Sequence, residues 1–127
     1  MNNSPIGVYD SGFGGLSVWR EIHRRLPEES LLYLGDGKNC PYGGRSREEI
    51  TAFAREAVER LISEGVKMVV VGCNTATTAA VDALRAEWPD IPIVGLEPAV
   101  KPACLSSRTR RIAVLATAHS LQSDMFL

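Results

Sequence analysis

The chain has 127 residues, of which 45% are hydrophobic and 23% are charged, and its formal net charge is −1. These values predict one modest hydrophobic core and exclude a disordered chain, and the small net charge argues against nucleic acid or an anionic membrane as a partner. No apolar stretch reaches the roughly 20 residues of a membrane span, and the first residues lack the features of a signal peptide. We therefore expect a cytoplasmic protein.

The first third of the chain predicts two strands and one helix. Residues 6–9 form an apolar run that ends at Asp10, which is typical of a buried strand. A glycine loop follows, and apolar residues then recur at helical spacing until Pro27 stops the pattern: Leu16, Trp19, Ile22 and Leu26. Residues 31–34 predict a second strand, and a loop rich in glycine, proline and asparagine follows over residues 35–44.

The clearest predicted helix comes after this loop. Ser46 is its expected N-cap, Glu49 completes a capping box, and Gly65 is placed to end the helix. Its apolar face consists of Ile50, Phe53, Ala54, Ala57, Val58, Leu61 and Ile62. Residues 68–71 then form an apolar run without polar alternation, which indicates a strand buried on both faces of a parallel sheet.

The second half of the chain continues the alternation of predicted strands and helices. A helical stripe of small apolar residues covers residues 76–84, residues 93–96 predict a fourth strand, and residues 112–115 predict a fifth. A short helix is expected around residues 100–105. Strands that alternate with helices imply right-handed crossovers and a layered sheet, so the predicted fold class is a doubly wound α/β fold with a mainly parallel sheet and helices on both faces.

The last part of the chain predicts a domain boundary. We assign residues 1–97 to an N-terminal α/β domain and residues 98–127 to a linker and the start of a second, incomplete α/β domain. A final helix begins near Ser120, and its apolar residues are Leu121, Met125 and Phe126. Because such a helix lacks a sheet to cover, we expect the natural protein to continue beyond Leu127 or part of it to be missing. The exposed helix also favours self-association, which makes a homodimer the candidate assembly.

Three polar segments follow the predicted strands. They are Asp10 with Ser11, residues 36–44 with Tyr42 and Gly43, and Cys73 with Asn74 and Thr75. Ligands of open α/β sheets bind beyond the carboxyl ends of the strands, so we expect these groups to converge. Each segment alone also has a purely structural interpretation, as a helix cap or a turn. Their joint occurrence favours a binding or catalytic site.

Among the residues of these segments, Cys73 most strongly indicates a catalytic site. It stands where a buried strand passes into a helix, and the free N–H groups and helix dipole at such a place favour the thiolate over the thiol. The alternative is a small buried residue at a strand end. The three cysteines, Cys40, Cys73 and Cys104, are odd in number and widely spaced, so we expect reduced thiols, no disulfide framework and no metal site.

The sequence disfavours three competing chemistries. Residues 12–17 lack the third glycine of the dinucleotide fingerprint and the Gly-Lys-Ser/Thr of a P-loop. No arginine follows Cys73 closely enough to hold a phosphate in the manner of a cysteine phosphatase. A cysteine hydrolase needs a histidine partner; His23 lies beside the apolar face of a helix, whereas His119 follows a predicted strand and is a candidate for the site.

Four motifs of the chain resemble those of the glutamate racemases, cofactor-independent enzymes that interconvert L- and D-glutamate for bacterial peptidoglycan synthesis. They are Asp10-Ser11-Gly12-Phe13-Gly14-Gly15-Leu16, Asp36 through Pro41-Tyr42-Gly43, Gly72-Cys73-Asn74-Thr75-Ala76-Thr77, and Glu97-Pro98-Ala99-Val100-Lys101-Pro102. The Gly-Cys-Asn-Thr motif also fits aspartate and hydantoin racemases. The Asp-Ser-Gly and Pro-Tyr-Gly motifs narrow the choice to glutamate racemase.

The resemblance implies a two-domain fold and a two-thiol mechanism that needs no cofactor. One thiolate removes the α-proton from one face of the substrate glutamate, and a thiol on a second domain returns a proton to the other face. By this likeness Cys73 is one of the two acid/base thiols, and Asp10 assists it and binds the substrate ammonium group. The other implied substrate-binding residues are Ser11, Tyr42, Gly43, Asn74, Thr75, Thr117 and Ser120.

The chain departs from the family pattern in two places. Where the family usually has Thr-x-Gly-Thr, residues 117–120 read Thr-Ala-His-Ser, with His119 in place of the glycine. The family's second half, with its Cys-Thr-His motif and the opposing thiol, lies beyond Leu127, and Cys104 lacks neighbouring donor residues that would make it a substitute. We therefore expect this chain alone to be an incomplete and inactive enzyme.

Two alternatives stay open. A non-catalytic half-racemase would hold an acidic amino acid or a partner protein at the same strand ends, and it would bind its ligand without exchanging a proton. A related amino-acid racemase would prefer another substrate, and faster exchange of aspartate than of glutamate would identify it.

Overall fold

The computed structural model describes residues 2–124, in which four strands alternate with helices. The strands are β1 (Ile6–Asp10), β2 (Leu31–Gly35), β3 (Met68–Val71) and β4 (Ile93–Gly95). The helices are α1 (Leu16–Arg25), α2 (Arg47–Ser63), α3 (Asn74–Glu87), α4 (Val100–Ser106) and α5 (Ala118–Leu121). The strands form one sheet in which every neighbouring pair is parallel. The predicted α/β fold with a parallel sheet is confirmed.

The order of the strands in the sheet is β2-β1-β3-β4. The chain therefore leaves β1 toward one edge of the sheet and returns, through α2, to the other side of β1. A parallel sheet opens a crevice at such a switch point, between the carboxyl ends of the two central strands. Tyr9 pairs with Val71, so the polar residues that follow β1 and β3 lie side by side at this crevice.

The sheet buries a different set of side chains on each face, because successive residues of a strand point to opposite sides. Tyr9, Val69 and Val71 pack with residues of α2 and α3 in the larger core. Its fully buried helix residues include Ile50, Ala54, Val58, Ala76 and Leu84. Val8 and Val70 pack with residues of α1 on the opposite face. This arrangement fixes β1 and β3 from both sides and gives the crevice a rigid floor.

The ends of α2 agree with the prediction from sequence. The Ser46 Oγ accepts the N–H of Glu49 at 3.1 Å, and the Glu49 carboxylate accepts the N–H of Ser46 at 2.9 Å, so the capping box is formed. After the helix, Gly65 has a φ of +82°, a left-handed conformation that favours glycine. Both ends of this helix are therefore encoded by local residues.

The predicted fifth strand is wrong. Residues 112–115 form no strand in the described part of the chain, and Leu115 is 99% exposed. A strand exists only when a neighbour pairs with its N–H and C=O groups, and within residues 2–124 the sheet ends at β2 and β4. The apolar run of Ile112, Val114 and Leu115 is typical of a strand, but no partner strand is present beside it in this range.

The last two helices follow the prediction with one shift. The structure confirms the short helix around residues 100–105 as α4. The final helix, α5, begins at Ala118 rather than near Ser120, because Thr117 acts as its N-cap and accepts the N–H of Ser120 at 3.3 Å. Met125 and Phe126 lie outside the described residues. Within residues 2–124, every helix is too short or too polar to cross a membrane.

Candidate active site

A cleft of about 420 Å³, lined by both polar and apolar residues, opens at the carboxyl ends of β1 and β3. Six of the residues predicted for the site line this cleft, namely Asp10, Cys73, Asn74, Thr75, Thr117 and Ser120. Ser11 contacts Cys73 directly, with 3.5 Å between the Ser11 Oγ and the Cys73 Sγ. The predicted convergence of a carboxylate, hydroxyls, an amide and a thiol is therefore present.

Cys73 is held between the end of β3 and the start of α3. It is the N-cap residue of α3, and its Sγ accepts the N–H of Ala76 at 3.4 Å while its thiol donates to the Ser11 Oγ. The residue is only 7% exposed. The sulfur thus faces the cleft with one backbone donor and one hydroxyl beside it.

The pKa of the Cys73 thiol is raised above its ordinary value, although the Ala76 N–H at the start of α3 favours the thiolate, as expected from the sequence. Burial has the largest effect, because it withholds water from the thiolate. The Ser11 hydroxyl and the Ala76 N–H lower the pKa, and the negative charge of Asp10 raises it again. The resting group is therefore a thiol, and a cation that enters the cleft would favour its ionisation.

The opposing effects of burial, Asp10 and the two hydrogen bonds on the pKa of Cys73 predict how its alkylation depends on pH. We expect iodoacetamide to modify Cys73 with a midpoint above that of the same cysteine in the urea-unfolded protein, because alkylation requires the thiolate. Asp10→Asn should lower the midpoint, since it removes a negative charge, and Ser11→Ala should raise it, since it removes a hydroxyl that can donate to the thiolate once the sulfur ionises. Mass spectrometry of the Cys73 peptide over a pH series measures the midpoint. A folded-state midpoint below the unfolded one would contradict the assignment.

Asp10 is held by the glycine loop that follows β1. Its Oδ2 accepts the N–H groups of Gly12 and Gly15, each at 3.1 Å. A Cβ placed on Gly15 would lie 2.6 Å from the Asp10 Cβ, a distance that side chains do not adopt. The closely packed glycines of this loop therefore hold the Asp10 carboxylate in place at the end of β1.

Tyr42 and Gly43 differ from most of the other predicted residues in that neither is among the described residues that line the cleft, although Gly43 adjoins Thr117. The Tyr42 hydroxyl is 2.5 Å from the Tyr9 hydroxyl and donates to the Asp36 carboxylate at 2.6 Å. Burial and the bond to Asp36 raise the pKa of Tyr42 well above its usual range, so the hydroxyl stays protonated. A Cβ on Gly43 would lie 3.3 Å from the Thr117 Cγ2. The role of Tyr42 and Gly43 in substrate binding stays a prediction.

A series of hydroxyl groups joins α5 to the first turn of α3. The Thr75 Oγ1 and the Thr117 Oγ1 are 3.0 Å apart, and the Thr117 Oγ1 is 3.1 Å from the buried Ser120 Oγ. This hydroxyl seam, formed by Thr75, Thr117 and Ser120, makes one wall of the cleft. The threonine and serine predicted from the family pattern are therefore brought to the other site residues, although they lie far away in sequence.

Some lining residues were not predicted from the sequence. The unpredicted residues are Gly14, Ser17, Val18, Gly72, Leu96, Leu115 and Ala116. Leu96 directly follows β4, and the rule that ligands bind at the carboxyl ends of strands could have identified it. Leu115 was instead expected at the end of a fifth strand. Its place at the cleft depends on how the chain continues after α4, for which we find no signal in the sequence.

The two histidines and the other two cysteines lie elsewhere. His119 lines a separate cavity with Arg47, Thr78 and Asp82, so the structure does not bring it to Cys73. His23 stacks on Trp19, with 5.4 Å between the ring centroids. The remaining free cysteines, Cys40 and Cys104, are both exposed. Among the residues that the structure describes, no three histidine, cysteine or acidic side chains converge as ligands for a metal ion.

Known proteins of similar sequence cover nearly the whole chain. The family model of the Asp/Glu/Hydantoin racemases matches residues 6–127. The chain is 51% identical over 123 residues to the glutamate racemase of Stutzerimonas stutzeri and 51% identical over 128 residues to that of Ectopseudomonas mendocina. These alignments include 97% and 99% of this chain but only 47% and 49% of the relatives. The chain thus spans about half the length of the curated relatives it matches.

Solved structures give the same result. Glutamate racemase isoform RacE1 from Bacillus anthracis superimposes with a TM-score of 0.85 at 44% identity, over 99% of this chain and 47% of that protein. The Escherichia coli glutamate racemase, solved with L-glutamate and the activator UDP-MurNAc-ala, superimposes with a TM-score of 0.88 at 34% identity, over 97% of this chain and 47% of that protein. The sequence family, the shared fold and the cleft agree, and the chain belongs to the Asp/Glu/hydantoin racemase family.

Proposed function

We propose that this chain is the N-terminal half of a glutamate racemase, an isomerase that interconverts L- and D-glutamate without a cofactor. The observation that carries the proposal is the meeting of the Cys73 thiol, the Ser11 hydroxyl and the Asp10 carboxylate at one cleft. The identity of 51% to glutamate racemases supports glutamate as the substrate.

In the proposed reaction, Cys73 is the base on one face of the substrate. The ammonium group of glutamate lies near the Asp10 carboxylate, where its positive charge favours ionisation of the buried thiol. The thiolate then takes the α-proton, so that an S–H bond forms as the Cα–H bond breaks. Because the α-proton is a weak acid, the base has to be close and desolvated, and the burial of Cys73 meets this requirement.

The electron pair left on the α-carbon is delocalised into the substrate carboxylate. Hydrogen-bond donors that face this developing charge lower the barrier, and the Asn74 amide and the Thr75 hydroxyl are two such donors at the cleft. A second thiol, which we assign to the part of the protein that this chain does not include, returns a proton to the opposite face. Cys73 alone therefore supports half of the reaction.

The domain division and the cellular role are part of the same proposal. Residues 1–97 form the first domain, and residues 98–127 form the linker and the start of the second. The relatives are bacterial, which supports a role in supplying D-glutamate for peptidoglycan and cell shape, and we propose that the enzyme acts in the cytoplasm. The exposed side chain of Leu121 on α5 is a candidate for a contact in a homodimer.

The test is exchange of the α-hydrogen in heavy water by the full-length protein. We expect the full-length protein to racemise D-glutamate and to replace its α-hydrogen with deuterium, whereas the 127-residue chain alone should not racemise it at a useful rate. Proton NMR follows the exchange, and circular dichroism follows the inversion. Binding of glutamate without exchange would establish a binding module instead, and faster exchange of aspartate would establish a related racemase.

A further inference from the structure

Tyr33 connects the edge of the sheet to the loop that holds Asp10. It lies on β2, and its hydroxyl donates to the carbonyl oxygen of Gly12 at 2.6 Å. It pairs in register with Val8 and packs with the residues around α1. Among the described residues, those that line the cleft do not include Tyr33, and the hydrogen bond of its hydroxyl goes to the glycine loop.

The loop fits closely around the Tyr33 side chain. A Cβ on Gly35 would lie 2.5 Å from the Gly12 carbonyl oxygen and 3.2 Å from the Tyr33 Cε1. A Cβ on Gly15 would lie 3.2 Å from the Tyr33 hydroxyl oxygen. The hydroxyl therefore sits between both ends of the segment that runs from Gly12 to Gly15. A small displacement of the tyrosine oxygen would be transmitted to this segment.

The same segment supplies both hydrogen bonds to the Asp10 side chain. The residue Gly12 is fixed on two sides, because its N–H donates to the Asp10 Oδ2 while its carbonyl accepts from Tyr33. Burial and the charge of Asp10 raise the pKa of Tyr33 to about 12, so the hydroxyl stays a donor at neutral pH. A continuous path leads from Tyr33 through Gly12 to the carboxylate at the cleft.

We propose that Tyr33 is a positioning residue of the racemase site, and that its hydroxyl holds the glycine loop in the shape that directs Asp10 to the substrate ammonium group. The inference rests on the proposed function. It adds to the site a residue on β2, a strand that provides none of the cleft-lining residues among those described. A purely structural tyrosine would affect stability but would have no specific coupling to Asp10.

A double-mutant cycle in the full-length protein distinguishes the two roles. Tyr33→Phe removes one oxygen atom and keeps the ring. We expect this change to lower kcat/KM for glutamate by about tenfold in the wild type. In an Asp10→Asn background we expect a fall of less than about twofold, because the carboxylate that Tyr33 positions is already absent. An equal fall in both backgrounds, or an unchanged kcat/KM in the wild type, would overturn the inference.

Hydrogen–deuterium exchange provides a readout that does not depend on activity. Tyr33→Phe should speed amide exchange in the peptide that contains Gly12 and Gly15. Tyr9→Phe is the matched control, since it removes a hydroxyl bonded to Tyr42 and leaves the loop contacts in place. Equal exchange in wild type and Tyr33→Phe would overturn the inference. A wild-type protein that is inactive on glutamate would instead refute the proposed function, and the exchange data would still decide whether Tyr33 holds the loop.

Discussion

Replacing Cys73 with alanine in the full-length protein is expected to abolish racemisation, with a fall in kcat/KM on the order of 10³-fold or more. In the proposed mechanism the thiol is the acid/base group on one face of the substrate, and no other cysteine in residues 2–124 lines the cleft. Inversion requires a proton donor or acceptor on each face, so both directions of the reaction are lost. Optical rotation or circular dichroism of D- and L-glutamate measures the effect.

The residual chemistry of this variant is equally informative. The opposing thiol can still remove and return a proton on its own face, so we expect α-hydrogen exchange with one enantiomer only, without inversion. Cys104→Ala is the control, because Cys104 is exposed on α4 and lies apart from the cleft. Its activity should match that of the wild type. Racemisation that survives Cys73→Ala would remove Cys73 from the mechanism.

A second large effect is expected from Gly15→Ala. The backbone of Gly15 has a φ of −65°, which alanine adopts without strain, so the restriction at this position is one of space. The added methyl group would lie 2.6 Å from the Asp10 Cβ. We expect a loss of about 1–3 kcal/mol in the free energy of unfolding, the usual range for overpacking. Catalytic activity should fall as well, since Asp10 has to move.

Gly37→Ala is the matched control for this substitution. A Cβ on Gly37 would have no other atom within 4 Å, so we expect a change within about 0.5 kcal/mol. Urea denaturation of the two variants and the wild type measures both values. Equal effects at the two positions would show that the contact between Gly15 and Asp10 does not constrain the loop.

The sequence predicted best the features that depend on neighbouring residues. The capping box of Ser46 and Glu49 and the glycine after α2 are local signals, and the structure reproduces them. The unbroken apolar run of β3 was also enough to predict a strand, because a strand that is buried on both faces shows no alternation of polar and apolar residues. Once the strands were known to be parallel, the meeting of Asp10 and Cys73 followed from the rule about their carboxyl ends.

The features that were missed depend on distant parts of the chain. Residues 112–115 have the composition of a strand, but pairing requires a neighbour that local composition does not specify. The pKa of Cys73 depends on a competition between burial and donors, and the extent of burial is set by the whole fold. Tyr33 lies 21 residues from the carbonyl it holds, so its contact with the loop could be found only from the coordinates.

The raised pKa of Cys73 also affects how the protein withstands oxidation. Peroxides and disulfides react with the thiolate, and a buried, protonated thiol is slow to form sulfenic acid. Cys73 has this protection whenever the cleft holds no cation to promote its ionisation. The desolvation that makes the group a weak nucleophile at rest therefore also protects it from oxidation. In the proposed reaction, the ammonium group of the substrate would end that protection at the moment when a base is needed.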